Sequence, residues 1–302
     1  GRRDVRHTII LHKSILYLSM ADHWDTVTIG GVGLIGGSAG LALTKRGAAK
    51  KIIGVGRSDS SLAIARELGA ISEGTTNLRE GVTDADLVLV ATRVSVIGHQ
   101  LEEIDAFVRP GTPITDAGST KQSIVDSWEQ RRSFRKGRFV GSHPLAGSHQ
   151  RGPDAADPTL FEGKLTVLTP VEATPEKDTD TISAFWEILG AKTCLLSPPE
   201  HDRLLASASH APHIVAAALA MATPSEAHRF AAGGWRDTTR IAAGDPALWA
   251  DILLDNTQSI TSQIQKFTEA SDRLRHAIEE GDRSTLIELL TLAKESRDAL
   301  GS

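Results

Sequence analysis

The chain has 302 residues, 40% hydrophobic and 24% charged, with a formal net charge of −5. That length suits one large domain or two ordinary ones, and the acidic balance speaks against a nucleic-acid surface, which needs a basic stripe. The single Cys194 excludes an internal disulfide and a multi-cysteine zinc cage. No uninterrupted apolar run reaches the ~18–20 residues that span a bilayer, so a cytoplasmic protein without a membrane partner is expected.

Residues 1–19 carry Arg2, Arg3, Arg6 and Lys13 against Asp4. They read as an extension upstream of a natural start near Met20. Apolar stretches there are broken by His12, Lys13 and Ser14, which argues against a targeting segment. From residue 26 the pattern alternates. A strand at 26–29 leads through a glycine loop into a helix ending near 45. A strand at 51–55 and a helix at 60–68 follow. Residues 86–91 (DLVLVA) are almost continuously apolar, the pattern of a parallel strand buried on both faces. A helix at 94–108, a strand at 113–115, a helix at 121–132 and strands at 138–141 and 165–168 complete the series. Repeated strand–helix units predict an α/β fold with a Rossmann-type doubly wound parallel sheet.

The pattern changes after about residue 170. A helix at 178–189 and a last short strand at 192–196 precede a purely helical remainder, in which Leu286, Leu289, Leu290 and Ala293 form one apolar stripe. The run 214–222 is apolar all round, which marks a buried helix; its alanines allow close helix approach and predict a dimer. The expected division is a dinucleotide-binding domain at 20–170 and an all-α substrate and dimerisation domain at 171–302, joined between Pro170 and Pro175.

The glycine loop contains G-x-G-x-x-G at Gly31, Gly33 and Gly36. The first glycine permits the tight turn, the second lets the backbone approach a pyrophosphate, and the third lets the helix pack on the strand. The phosphates then meet free N–H groups at a helix start, beside Leu34 and Ile35. A lone motif of this kind is weak, but this one follows a strand and opens a helix. Thr92, after the 86–91 strand, borders the same cleft. Where an NAD site places an acidic residue, this chain has Arg57 and Ser58. A guanidinium and a hydroxyl suit a 2′-phosphate, so NADP is expected in preference to NAD, although Asp59 could still reach a ribose.

Four further segments are DAGSTK at 116–121, GSHPLAG at 141–147, SHAPH at 209–213 and GWRDTTRIA at 234–242. With GLIGGS at 33–38 and the 245–252 stretch holding Asp245, Trp249 and Asp251, they resemble the prephenate/arogenate dehydrogenase family in the family's own order. The resemblance implies oxidative decarboxylation of prephenate to 4-hydroxyphenylpyruvate in tyrosine biosynthesis, with hydride transfer to NAD(P)+. The alternative is arogenate, giving tyrosine directly. It also implies roles. His143 matches the catalytic histidine that draws the proton from the ring hydroxyl, and Ser119 a serine near that hydroxyl. Arg240 matches the arginine that binds a substrate carboxylate. His213 matches a second pocket histidine, with His210 beside it. Trp249 matches an aromatic that, in relatives, approaches the partner subunit's site.

Two departures stand out. Many relatives have Thr-Pro where this chain has Thr92-Arg93. Many carry an acidic residue where it has His149-Gln150-Arg151. A pocket that selects arogenate should offer a carboxylate to its ammonium, because a buried unpaired charge is costly. Prephenate is therefore the expected substrate, with His149 at the side-chain end of the pocket. A metal held by His210 and His213 has no evident third ligand, His201–Asp202 being the one nearby candidate. A lysine-dependent hydroxyacid dehydrogenase or imine reductase lacks its lysine beside those histidines. A non-catalytic dinucleotide sensor would have no use for Ser119, His143, His213 and Arg240 together.

Overall fold

The computed structural model describes residues 24–148 and 150–301, so the 1–19 extension and His149 lie outside the described residues. Eight strands form one sheet: β1 (Trp24–Gly30), β2 (Ala49–Val55), β3 (Glu73–Thr75), β4 (Leu87–Val90), β5 (Pro113–Asp116), β6 (Arg138–Pro144), β7 (Leu165–Thr169) and β8 (Lys192–Leu195). Their order is β3-β2-β1-β4-β5-β6-β7-β8. Helices α1 (Leu34–Arg46), α2 (Asp59–Glu67), α3 (Leu78–Val82), α4 (Val94–Phe107), α5 (Gln122–Glu129) and α6 (Glu176–Ile188) connect them.

The near-continuous apolar character of β4 follows from two cores. Leu87 and Leu89 join α1 and α6 residues on one face, among them Leu43, Ile182 and Trp186. Val88 and Val90 join α4 and α5 residues on the other, among them Ile97, Leu101 and Val125. Alternate side chains of one strand thus enter opposite layers.

Two expectations are corrected. The sheet is mixed, because β6 and β7 pair antiparallel while every other neighbouring pair is parallel. β6 and β7 are buried along almost their whole length like their parallel neighbours, so their composition does not disclose the direction of pairing. The α/β unit also continues beyond the junction expected at 170–175. α6 is part of the first core, its Trp186 indole donates to Ser142 Oγ at 2.8 Å, and β8 pairs with β7. The change to all-helix comes after Leu195.

α7 (Pro198–Leu205), a π-turn at Ala206–His210 and α8 (Ala211–Ala222) then run as one 25-residue helix. Pro212 lies just past the π-turn. A proline there cannot donate to the carbonyl four residues back and clashes with it, and a widened turn relieves both conflicts. By length and composition this helix could cross a membrane, but His201, Asp202, His210 and His213 on it are buried inside the protein. α9 (Gly233–Thr239), α10 (Pro246–Asp255), α11 (Thr257–Glu279) and α12 (Arg283–Asp298) follow. α10 ties the helices to the α/β unit. Asp251 accepts from Ser95 Oγ at 2.8 Å and Asp255 from Ser123 Oγ at 2.7 Å, while Ile252 enters the second core.

The burial expected for residues 214–222 is not found within one chain. On α8, Leu219 and Met221 are exposed, and α12 has no buried residue.

Candidate active site

The glycine loop leaves the C-terminal end of β1 and opens α1. Gly31 has a φ of 92°, and a Cβ there would lie 2.6 Å from the Ala91 carbonyl oxygen and 2.9 Å from Thr92 Cγ2. Thr92 therefore abuts the loop. A Cβ on Gly36 would fall 1.9 Å from the Gly31 carbonyl oxygen, so only glycine lets α1 come this close to the strand. Gly33 differs, since a Cβ there would meet no protein atom within 4 Å. Protein packing does not explain that glycine, whereas the approach of a diphosphate does. α1 has no side-chain cap and no acidic residue in its first turn, which leaves the N–H groups near Leu34 and Ile35 for an anion. The loop fits a dinucleotide.

Arg57 follows β2, exposed and without a hydrogen-bond or ion-pair partner among the described residues. Ser58 caps α2, its Oγ accepting from Ser61 N at 3.4 Å and facing Ser60 Oγ at 2.6 Å.

Ser119 sits half-buried in the loop between β5 and α5. Asp116 ties that loop to the neighbouring strand. It accepts from Gly118 N at 2.8 Å and Ser142 N at 3.0 Å, and pairs with Lys121 Nζ. Both members of this ion pair are fully buried, so breaking it would leave an uncompensated interior charge.

His143 lies near the end of β6, buried. Its Nδ1 is 2.9 Å from His201 Nε2, and His201 Nδ1 is 2.8 Å from Asp202 Oδ1. Asp202 also accepts from Lys121 N at 2.8 Å and Gln122 N at 3.0 Å, satisfying free donors at the start of α5. Burial, with His201, Lys121 and His210 nearby, pushes His143 well below the usual imidazole value. Burial also lowers His201, against the pull of Asp202. Burial opposes ionisation of Asp202, yet hydrogen bonds from His201 and the Gln122 and Lys121 N–H groups hold its carboxyl low. The chain of groups is a carboxylate and two neutral imidazoles.

The widened turn carries His210 into the same cluster. Its Nδ1 is 3.4 Å from Asn256 Nδ2, which also donates to the Asp202 carbonyl oxygen at 2.8 Å. Burial lowers His210 to about 4. Its Nε2 and the Nδ1 of His213 are buried without a partner among the described residues. Trp249 of α10 stacks on His213 with ring centroids 3.6 Å apart and planes at 11°, and meets His210 edge-on at 6.3 Å. Trp249 thus covers a histidine of its own chain, on a helix that packs on α4. A Cβ on Gly244 would lie 2.5 Å from Trp249 Nε1, so this glycine makes room for the stack.

His143, His210, His213 and Trp249 are therefore brought together. Arg240 is not part of that hydrogen-bonded cluster. It is exposed at the end of α9, on a turn packed against α8. At the rim, Asp245 Oδ2 meets Arg151 at 2.9 Å and Arg93 at 3.7 Å, joining the helical part to the sheet. His201, Asp202, Asn256 and Gly244 were not singled out as site residues from sequence. In the sequence His201–Asp202 stands out only as a candidate third metal ligand, and its placement beside His143 depends on contacts 58 residues apart.

Comparisons with known proteins bear on both parts of the molecule. Residues 39–195 match the nucleotide-binding domain of prephenate dehydrogenase, and residues 197–292 its dimerization domain. Prephenate dehydrogenase of Bacillus subtilis is 39% identical over 283 residues, covering 91% of this chain and 76% of its own. The structure of Aquifex aeolicus prephenate dehydrogenase with hydroxyphenyl propionate and NAD+ superposes with a TM-score of 0.84 at 31% identity, covering 94% of this chain and all of that one. Synechocystis arogenate dehydrogenase superposes at 0.78 with 30% identity, covering 91% and 99% of the two chains. In sequence and in three dimensions, across both its sheet and its helices, this chain belongs to the prephenate dehydrogenase family.

Proposed function

We propose that the chain oxidatively decarboxylates prephenate to 4-hydroxyphenylpyruvate, using NADP+ in preference to NAD+, as a cytoplasmic homodimer. The observation that carries the reading is His143, a buried imidazole kept neutral by its surroundings, with Nδ1 against His201 and Nε2 without a hydrogen-bond partner among the described residues. A neutral base suits the reaction, since hydride leaves the carbinol carbon more readily as the hydroxyl proton is drawn away. His143 Nε2 accepts that proton, and CO2 departs as the ring becomes aromatic. The same nitrogen returns the proton to the phenolate oxygen, so the base is regenerated. The dinucleotide, when bound, supplies the hydride acceptor. Ser119 lies in the loop held to the His143 strand through Asp116, where it orients the hydroxyl. Arg240 offers a planar fork to a substrate carboxylate. His213 and Trp249 form an aromatic wall that excludes water.

NADP preference is supported by Arg57, a guanidinium just past β2 with no partner among the described residues. Preference for prephenate is supported at the cleft rim, where two guanidiniums surround one carboxylate, Asp245, and the local balance repels an ammonium. Asp154, the first acidic residue after His149-Gln150-Arg151 in the sequence, is exposed on a turn packed against α1 and α2. The dimer is supported by the match to a dimerization domain and by the exposed apolar residues of α8 and α12. The division between the two functional parts falls at about residue 196, between the two matched regions.

Absorbance at 340 nm tests the reading. The highest kcat/KM is expected for prephenate with NADP+. Arogenate turned over equally well or better would overturn the substrate assignment, and no reduction of either cofactor with either substrate would overturn the activity.

A further inference from the structure

Two hydrogen-bond chains meet at Asp202, and together they fix where protons sit. A carboxylate only accepts, so the 2.8 Å contact with His201 Nδ1 is an N–H donated by the histidine. A neutral imidazole has one N–H, which leaves His201 Nε2 as an acceptor. The 2.9 Å contact is then an N–H donated by His143 Nδ1. His143 Nε2 is left with a lone pair. The second chain starts from the backbone carbonyl of Asp202, which also only accepts. It fixes the Asn256 amide with Nδ2 toward it at 2.8 Å. The other Nδ2 proton faces His210 Nδ1 at 3.4 Å. That nitrogen is therefore the acceptor, and the single proton of His210 lies on Nε2, which is buried and has no partner among the described residues.

We infer that Asp202 and Asn256 are positioning residues that set opposite tautomers on His143 and His210. The pocket is thereby given one fixed proton acceptor and one fixed donor. This rests on His143 being the base of the proposed reaction. The arrangement suits a substrate with a hydroxyl and anionic oxygens on one ring. The lone pair of His143 Nε2 takes the hydroxyl proton, and the N–H of His210 Nε2 is offered to an oxygen that has none. It also explains why a buried histidine keeps an unpaired N–H, which costs free energy in the absence of a ligand acceptor. Reversing either chain would present two donors or two acceptors and misread the ring.

The first test uses the intact wild-type protein without substrate, so it is independent of which substrate is turned over. In 15N-labelled enzyme, long-range 1H–15N correlations are expected to show His143 protonated at Nδ1 and His210 at Nε2. His143 protonated at Nε2, or His210 at Nδ1, overturns the inference whatever the enzyme's activity. The second test uses Asp202→Asn and Asn256→Asp. Asp202→Asn can donate to His201, which reverses the first chain, and a drop in kcat of about 10²-fold or more is expected with cofactor affinity retained. Asn256→Asp accepts from His210 Nδ1, and a rise in KM of about 10-fold is expected with kcat within a few-fold. Unchanged kcat in the folded Asp202→Asn enzyme, or unchanged KM in Asn256→Asp, contradicts it. If Asp202→Asn fails to fold because α5 loses its cap, the wild-type tautomers still decide.

Discussion

His143 has two kinds of neighbour with different effects on chemistry. Burial makes its charged form costly, and His201 holds its orientation. His143→Asn is expected to lower kcat by about 10²–10⁴-fold, the usual worth of a general base, with cofactor affinity nearly unchanged. Activity within threefold of wild type would remove it from the mechanism. The acid limb of kcat/KM, which reports the free enzyme, should lie below about pH 6.5, the ordinary histidine value, because the folded imidazole is depressed. A limb at pH 7 or above would contradict this. Arg240 has no hydrogen-bond or ion-pair partner among the described residues, so Arg240→Ala should leave stability alone and raise KM by about 10- to 100-fold, the loss of a charge-assisted pair. An unchanged KM would make it a bystander. Arg57→Ala should weaken NADP+ and spare NAD+; equal weakening of both would show that it does not read the 2′-phosphate.

The regular elements differ in how plainly their residues announced them. β1, β2 and β4 were legible because buried apolar runs bounded by glycine or charge have few other uses. Gly31 and Gly36 were legible because a turn and a close helix approach tolerate nothing larger. β3 and α3 were missed: each has five residues or fewer, and β3 has no buried side chain. The antiparallel β6–β7 pair was hidden because both strands are covered on both faces, as the parallel strands are. The π-turn was hidden because its cause, Pro212, also suits a helix start. His201 and Asp202 share no sequence motif with His143 and meet it only through tertiary packing. Gly244 belongs to the same group, and Gly244→Ala should displace Trp249 from His213. Loss of a tryptophan fluorescence change on substrate binding would report this, whereas wild-type fluorescence and KM would show the stack to be unnecessary.

The buried histidines also set how the folded protein responds to acid. His143, His201, His210 and His213 are all depressed by burial, His210 to about 4. The unfolded chain binds protons at these positions from about pH 6.5 downward while the folded one does not. Stability from neutral burial is thus complete above that value and is lost as pH falls toward about 4. Tm should fall between pH 7 and 5, and His210→Phe should reduce the slope; an equal slope in both proteins would assign acid sensitivity elsewhere. The exposed Leu219, Met221, Phe267, Ile287, Leu290 and Leu292 predict a dimer in sedimentation at micromolar concentration, and a monomer there would contradict it.

The cap that Asp202 places on α5 joins residues 80 positions apart. A polypeptide emerges from the ribosome N-terminus first. By the time β8 has been made, every described strand, the glycine loop and His143 exist, but the carboxylate that caps α5 and the imidazole that meets His143 do not. The following turn of helix supplies both at once. The residues of the nucleotide loop are therefore made early in synthesis, whereas His143 gains its imidazole partner late.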